Sequence, residues 1–525
     1  MKNRLRNSFF GLLKLTFFTL LISCGNKSLK QPFQIESGLI SGVKSENSDV
    51  LIFKGIPYAA PPVGNLRWRA PQPALAWKGV LTADKFGAAA MQILDRSRLP
   101  HTEEFMTQDS VSEDCLFLNL WTPAKTAGDK LPVLVWIHGG GLTEGAGSVK
   151  VYDGEELAKK GIIVVTINYR LGVLGFLAHP ELTAESPDHV SGNYGLLDQL
   201  AALKWVKNNI AAFGGDPGCV TIAGQSAGAG SVRMLSISPL AKGLFHRAVT
   251  ESGWSFASRK TPTLSEAEVK GTEFAKAKGV STLDELRAMS AKELIAISPN
   301  QNTVTIMGRF DFNIDGVYLP AGVNETFAAG IQNDTPFMDG LNADETHYRG
   351  EQSDAFKALY LSSTEQEATA KLKEAGQEQS RLDTYLWLEY RAKTAKTNGY
   401  TYFFDRAIPW PAHPEFGAFH TSEVPYVFNN LKMLNRPWEE TDKMVADRMS
   451  SYWVNFVKTG DPNGSGLPVW AAFDSTRKET MELGKITGMM PIASSQAIFD
   501  FLKEQLMKAP IQNFAPVVDM DRKTK

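Results

Sequence analysis

Cys219-Val220-Thr221-Ile222-Ala223-Gly224-Gln225-Ser226-Ala227-Gly228-Ala229-Gly230-Ser231 carries three local signals in succession. The apolar, β-branched run up to Ala223 predicts a buried strand. Gly224 and Gly228, two residues before and after Ser226, leave room for close approach of neighbouring chain. The small-residue segment from Ala227 can open a helix. In such a strand–turn–helix the serine takes a strained backbone conformation, and its Oγ projects above the sheet at a helix N-terminus. Two further apolar runs, Leu131-Pro132-Val133-Leu134-Val135-Trp136-Ile137 and Gly161-Ile162-Ile163-Val164-Val165-Thr166-Ile167, suit strands buried on both faces, as in a parallel sheet. Between them and the serine, Tyr194 to Phe213 repeats apolar residues at a spacing of three and four, which predicts a helix. Alternating strands and helices argue for an α/β fold with crossover connections. The Ala/Glu/Lys-rich stretches from about 262 to 300 and 346 to 398 predict extra helices inserted around that sheet.

A second motif, His138-Gly139-Gly140-Gly141-Leu142, follows a predicted strand directly. Consecutive glycines let backbone N–H groups point into a pocket without obstruction by Cβ. Such donors stabilise negative charge developing on a carbonyl oxygen, each by about 2.7–4 kcal/mol. Gly140, Gly141 and, after the serine, Ala227 are the candidate donors of an oxyanion hole.

With both motifs in view, the chain strongly resembles the type-B carboxylesterases, relatives of cholinesterases and of bacterial para-nitrobenzyl esterases. Further blocks of the resemblance are Phe53-Lys54-Gly55-Ile56-Pro57-Tyr58, Ser112-Glu113-Asp114-Cys115-Leu116, Asn193-Tyr194-Gly195-Leu196-Leu197-Asp198 and Phe213-Gly214-Gly215-Asp216-Pro217. It runs from about residue 34 to about 475 and implies an α/β-hydrolase fold and a serine carboxylesterase. A triad in this fold runs serine, acid, histidine along the chain. His246, His347, His413 and His420 follow Ser226, and His420 in Gly417-Ala418-Phe419-His420-Thr421-Ser422-Glu423 matches the family's catalytic block. Gly340-Leu341-Asn342-Ala343-Asp344-Glu345 resembles the block of the acid, which makes Glu345 the candidate; Asp344 is the rival, since sequence does not aim adjacent side chains. Arg67 with Glu113, and Arg170 with Asp198, match ion pairs of the family that pin loops. Two departures stand out. Many members carry Glu before the nucleophile, and Gln225 removes that charge, which argues against a preference for choline esters. Cys115 lacks its usual disulfide partner, whose place falls near Ala90, so a free thiol is expected at Cys115.

Composition sets outer bounds. The 525 residues are 43% hydrophobic and 21% charged, which excludes a disordered chain. With 55 basic against 57 acidic residues there is no excess of positive charge to hold a nucleic acid. No His/Cys/Asp/Glu cluster has metal-ligand spacing, so neither a metal nor an organic cofactor is expected. Lys2, Arg4 and Arg6 precede an apolar stretch ending in Leu21-Ile22-Ser23-Cys24, which resembles a bacterial lipoprotein signal. The expected plan is a signal peptide over 1–23, a lipidated Cys24 with a tether to residue 33, and one α/β-hydrolase domain over 34–525. The mature chain would then carry a net charge of -6. Gly25 after the cysteine favours the outer membrane. The expected partners are a small-molecule ester and, through the lipid alone, a membrane; the sequence does not set the oligomeric state.

Overall fold

The computed structural model describes residues 29–253, 261–296, 310–345, 348, 350, 352–360, 364–484 and 486–508. The segment expected to be a signal peptide and Cys24 lie outside them, as does His347. The main sheet has eleven strands. In chain order these are β1 (Val43–Lys44), β2 (Leu51–Pro57), β3 (Phe117–Thr122), β4 (Leu131–Ile137), β5 (Ile163–Ile167), β6 (Gly215–Gln225), β7 (Arg247–Glu251), β8 (Phe337–Asn342), β9 (Gly399–Phe404), β10 (Glu479–Leu483) and β11 (Thr487–Pro491). Their spatial order is β11-β10-β9-β8-β7-β6-β4-β5-β3-β2-β1. The seven strands from β10 to β5 pair in parallel, and antiparallel strands close both edges.

The apolar runs of the sequence are explained by burial on both faces. Val133, Val135 and Ile137 of β4 pack into one hydrophobic cluster with Ile163, Val165 and Ile167 of β5. Their alternate neighbours Leu134, Trp136 and Val164 pack into another cluster on the opposite face. A strand that serves two cores cannot alternate apolar with polar residues, so it reads as a continuous apolar run. Helix α1 (Tyr194–Asn209) lies in the first core with twelve of its sixteen residues buried, including Asp198 and Gln199. Helix α2 (Ala227–Ile237) is buried along its whole length. The inserted segments are helical as expected, with Leu264–Ala277, Leu283–Ala288 and Ala291–Ile295 in the first and Asp354–Leu359 and α3 (Glu365–Ala392) in the second. The second insertion joins the C-terminal helix Gln496–Lys508 in a third core around Leu382, Tyr385, Phe499 and Leu502.

The two ion pairs expected to pin loops are formed. Arg67 donates from Nε and Nη2 to Glu113 at 2.7 and 2.6 Å. Arg170 donates to both oxygens of the fully buried Asp198 at 2.8 and 2.7 Å. Cys115 is a buried free thiol, and Cys219 is free as well.

Candidate active site

The C-terminal ends of β4, β6 and β8 converge on one place. β6 ends at Gln225, and Ser226 adopts φ +57° and ψ -120° before α2 begins at Ala227. Such a conformation costs a non-glycine residue about 1–3 kcal/mol and persists only where its surroundings enforce it. Here Ser226 N–H donates to Glu251 O at 2.8 Å, and Ser226 O accepts from Gly230 N–H at 3.0 Å. The neighbouring glycines are required by crowding: a Cβ on Gly228 would lie 2.0 Å from Ile137 O.

The loop leaving β4 runs alongside the serine. A Cβ on Gly139 would sit 3.0 Å from Ser226 Cβ. Gly140, Gly141 and Leu142 follow with φ of +97°, +63° and +63°, a left-handed run that turns the chain back on itself. Thr143 and Glu144 N–H both donate to Gly140 O at 3.0 Å. The amides of Gly140, Gly141 and Ala227 donate to no other described residue. Three free donors at the mouth of one strand–turn–helix, the last at a helix N-terminus, are what an oxyanion needs. His138 is buried, stacks on Tyr169 at 4.5 Å and bonds Gly139 O through Nδ1; burial holds its pKa down to about 4, so it is a neutral structural ring.

His420 Nδ1 meets Glu345 Oε2 at 2.5 Å. Glu345 is fixed in turn by Asn342 N–H, which donates to Oε1 at 2.7 Å. The adjacent Asp344 points elsewhere: Ala418 N–H donates to its Oδ2 at 2.8 Å, and Lys373 pairs with Oδ1 at 2.6 Å. Of the two carboxylates left open by the sequence, only Glu345 touches the imidazole. Burial alone would lower the pKa of His420, but the hydrogen bond and charge of Glu345, aided by the charge of Glu423, raise it above the ordinary value. His246 and His413 stand apart, bonded to Val220 N–H at 3.2 Å and to Glu415 at 3.0 Å.

Ser226 Oγ is not hydrogen-bonded to His420. Gln225 Nε2 lies 3.2 Å from His420 Nε2 instead. With Nδ1–H given to Glu345, Nε2 is the acceptor, and the Gln225 amide donates to it. Two carboxyl groups not apparent from the sequence are linked to His420, Glu423 through its charge on the imidazole and Glu251 through its repulsion by Glu423. Glu251 and Glu423 are both fully buried. Trp453 Nε1–H donates to Glu251 Oε1 at 2.7 Å, while Glu251 Oε2 has no partner. Asn342 Nδ2–H donates to Glu423 Oε2, and Ser252 lies 3.5 Å from Oε1. No lysine or arginine pairs with either among the described residues. Burial, reinforced by mutual repulsion, pushes Glu251 well above the carboxylate range; burial and the charge of Glu345 push Glu423 up to about 7. Glu423 stands three residues after His420, inside the motif already quoted, but its burial is a tertiary fact. Among the described residues no cluster of metal-ligating side chains occurs.

This geometry has known counterparts. The model of the Carboxylesterase family matches residues 30–386 and 351–501. The chain is 37% identical to a fumonisin B1 esterase of Sphingopyxis macrogoltabida over 488 residues, 86% of each chain. It is also 37% identical to a para-nitrobenzyl esterase of Bacillus subtilis, over 82% of this chain and 90% of that one. Among solved structures, a PNB esterase superposes with a TM-score of 0.72 at 32% identity, covering 91% of this chain and 99% of its own. A carboxylesterase of Geobacillus stearothermophilus gives a TM-score of 0.67 at 32% identity over 87% and 96%.

Proposed function

The chain belongs to the carboxylesterase family and is a carboxylic ester hydrolase, and we propose that it works through a covalent acyl-enzyme on Ser226, with His420 carrying the proton and Glu345 orienting it. The observation that carries this reading is the 2.5 Å contact of His420 Nδ1 with Glu345, on an imidazole that also meets Gln225, the neighbour of a strained serine with free amides around it. Glu345 fixes the tautomer that leaves Nε2 bare and stabilises the imidazolium once it forms. When Nε2 passes from the Gln225 amide to the Ser226 hydroxyl, the serine attacks the ester carbonyl and His420 takes its proton. The amides of Gly140, Gly141 and Ala227 hold the oxyanion. His420 returns the proton to the departing alcohol, and water releases the acid through the same base. Ser226→Ala should lower p-nitrophenyl acetate turnover by about 10⁴-fold or more and abolish fluorophosphonate labelling without changing the circular dichroism. Turnover at the parent rate would reject the assignment.

The substrate we propose is a small-molecule ester without a cationic alcohol group. Support for the absence of a cationic group comes from the neutral Gln225 beside the nucleophile, and support for a small-molecule ester from relatives named para-nitrobenzyl esterase and fumonisin B1 esterase. A panel varying acyl length and alcohol bulk tests it, with a choline ester as the member expected to be poorest. The N-terminal sequence supports export and lipidation at Cys24, with the outer membrane as destination; labelling with radioactive palmitate, lost in Cys24→Ala, is the check.

A further inference from the structure

The chain between Ala89 and Ser112 forms a strap whose two ends are tied together. Ala89–Ala90 pairs in parallel with Val111–Ser112. Between these ends it reaches both halves of the site. Gln92 grips the loop after β4 from two directions, accepting from Gly145 N–H at 2.8 Å and donating to Gly145 O at 2.9 Å. Arg98 Nη2 donates to Glu144 Oε1 at 2.6 Å. Glu144 itself holds the glycine turn through its N–H bond to Gly140 O. At the far side His101 Nε2 lies 3.0 Å from the backbone carbonyl of His420. A carbonyl only accepts, so His101 carries its proton on Nε2. Its ring is wedged edge-on against Phe105 and Phe419, with centroids 6.1 and 5.8 Å away.

We propose that this strap is a two-ended clamp: Arg98 sets the oxyanion loop, His101 sets the backbone of His420, and their spacing along one segment fixes the distance between oxyanion donors and general base. Both are positioning residues. This rests on the triad reading given above. The physical reason for such a device is that the two halves come from loops about 280 residues apart in sequence (Gly140 and His420). Displacing one half by about 1 Å can cost up to 100-fold in rate while leaving the binding pocket intact. His101 is suited to the task because it stays neutral: burial, with the nearby positive charge of His420, holds its pKa down to about 4. It therefore adds no positive charge beside the imidazolium formed during turnover.

The test is steady-state kinetics on the full chain. His101→Phe keeps the aromatic wedge and removes the donor; His101→Gln restores a donor. Arg98→Ala removes the other grip, and Arg98→Lys restores a cation. We expect His101→Phe and Arg98→Ala each to lower kcat about 10-fold with KM within twofold, and the Gln and Lys variants to recover most of it. The rate of fluorophosphonate inactivation should fall in step with kcat. Parent kcat in folded His101→Phe and Arg98→Ala would overturn the clamp. So would an equal loss in His101→Gln and His101→Phe, or parallel changes in kcat, KM and melting temperature, which mark a merely structural role. If His101→Phe does not fold, Arg98→Ala and Arg98→Lys decide alone. Ser226→Ala separates the two ideas: its full activity defeats the triad, whereas inactive Ser226→Ala beside fully active strap variants defeats only the clamp.

Discussion

Gln225 and Glu423 flank the imidazole of His420 with different electrostatic consequences. Gln225 brings a neutral amide to Nε2 at 3.2 Å. Gln225→Glu would set a carboxylate there and favour the imidazolium, so the acid limb of the kcat/KM profile should move up by about one pH unit. A pH–rate profile unmoved by this change would show that the side chain does not face the base. Glu423→Gln should move the same limb the other way, because one of the charges that raise His420 is gone. It should also change stability with a defined sign. The ordinary carboxyl value is 4.5 and the folded one about 7. Below the first value both states are protonated and burial of the group carries no charge penalty; above the second, the folded state holds a buried anion. The parent is therefore destabilised progressively as pH rises between these values. Among the described residues Glu251, Glu345, His420 and the phenols of Tyr152 and Tyr402 are ionisable groups that interact with this carboxyl. The melting temperature of Glu423→Gln should exceed that of the parent most above pH 7 and converge with it below pH 4.5. A constant difference across the range would place the penalty elsewhere.

At the scale of elements, what could be read from sequence followed physical range. β4, β5 and β6 announce themselves because each is buried on both faces, and the serine turn because crowding against Ile137 demands glycine at a fixed offset. The clustering of Gly139 to Gly141 is legible for the same local reason. The direction of Glu345 against Asp344 is not, since it depends on a distant loop that puts Ala418 before one and His420 before the other, and on Lys373 of α3, which pairs with Asp344. The strap is silent in sequence: Gln92, Arg98 and His101 have no periodicity, and the contact of His101 spans 319 residues. Its base suggests a different experiment. Ala90 and Cys115 line the same small void, where the family resemblance puts a disulfide that this chain lacks. Ala90→Cys should therefore oxidise with Cys115, closing a loop of about 25 residues and stabilising the fold by about 3.5 kcal/mol by the chain-entropy relation. Thiol titration should count one free described cysteine, Cys219, and kcat should stay near the parent value because the strap is stapled where it already lies. Three titrating thiols with an unchanged melting temperature would rule the pairing out.

At the scale of the whole molecule, the parallel strands give the enzyme a top and a bottom. Ser226, the glycine loop and Glu345 follow the C-terminal ends of β6, β4 and β8. Leu29, the first described residue, is at the other end. Its N–H donates to Lys125 O at 2.8 Å, beside Gly214, whose carbonyl accepts from Leu131 N–H at 2.8 Å where β4 begins. Six steps of β4 separate these ends by about 20 Å. No helix among the described residues is long and apolar enough to cross a membrane. The proposed attachment is through the lipid at Cys24. From there to Leu29 the chain can span at most about 18 Å. Lys125, Asp129 and Lys130, exposed around that lower end, would then lie near the headgroups, and the catalytic mouth would face the aqueous side. This orientation predicts a preference for esters that arrive through water. The lipidated enzyme on phosphatidylethanolamine/phosphatidylglycerol vesicles and the soluble Cys24→Ala form should hydrolyse p-nitrophenyl acetate with the same kcat/KM. Anchoring should give no advantage on a long-chain p-nitrophenyl ester dissolved in the same bilayer. Energy transfer from a fluorophosphonate dye on Ser226 to headgroup acceptors should report a separation above about 20 Å. Faster cleavage of the embedded ester by the anchored form, with a shorter separation, would mean that the mouth turns toward the membrane and that the tether leaves from a different face.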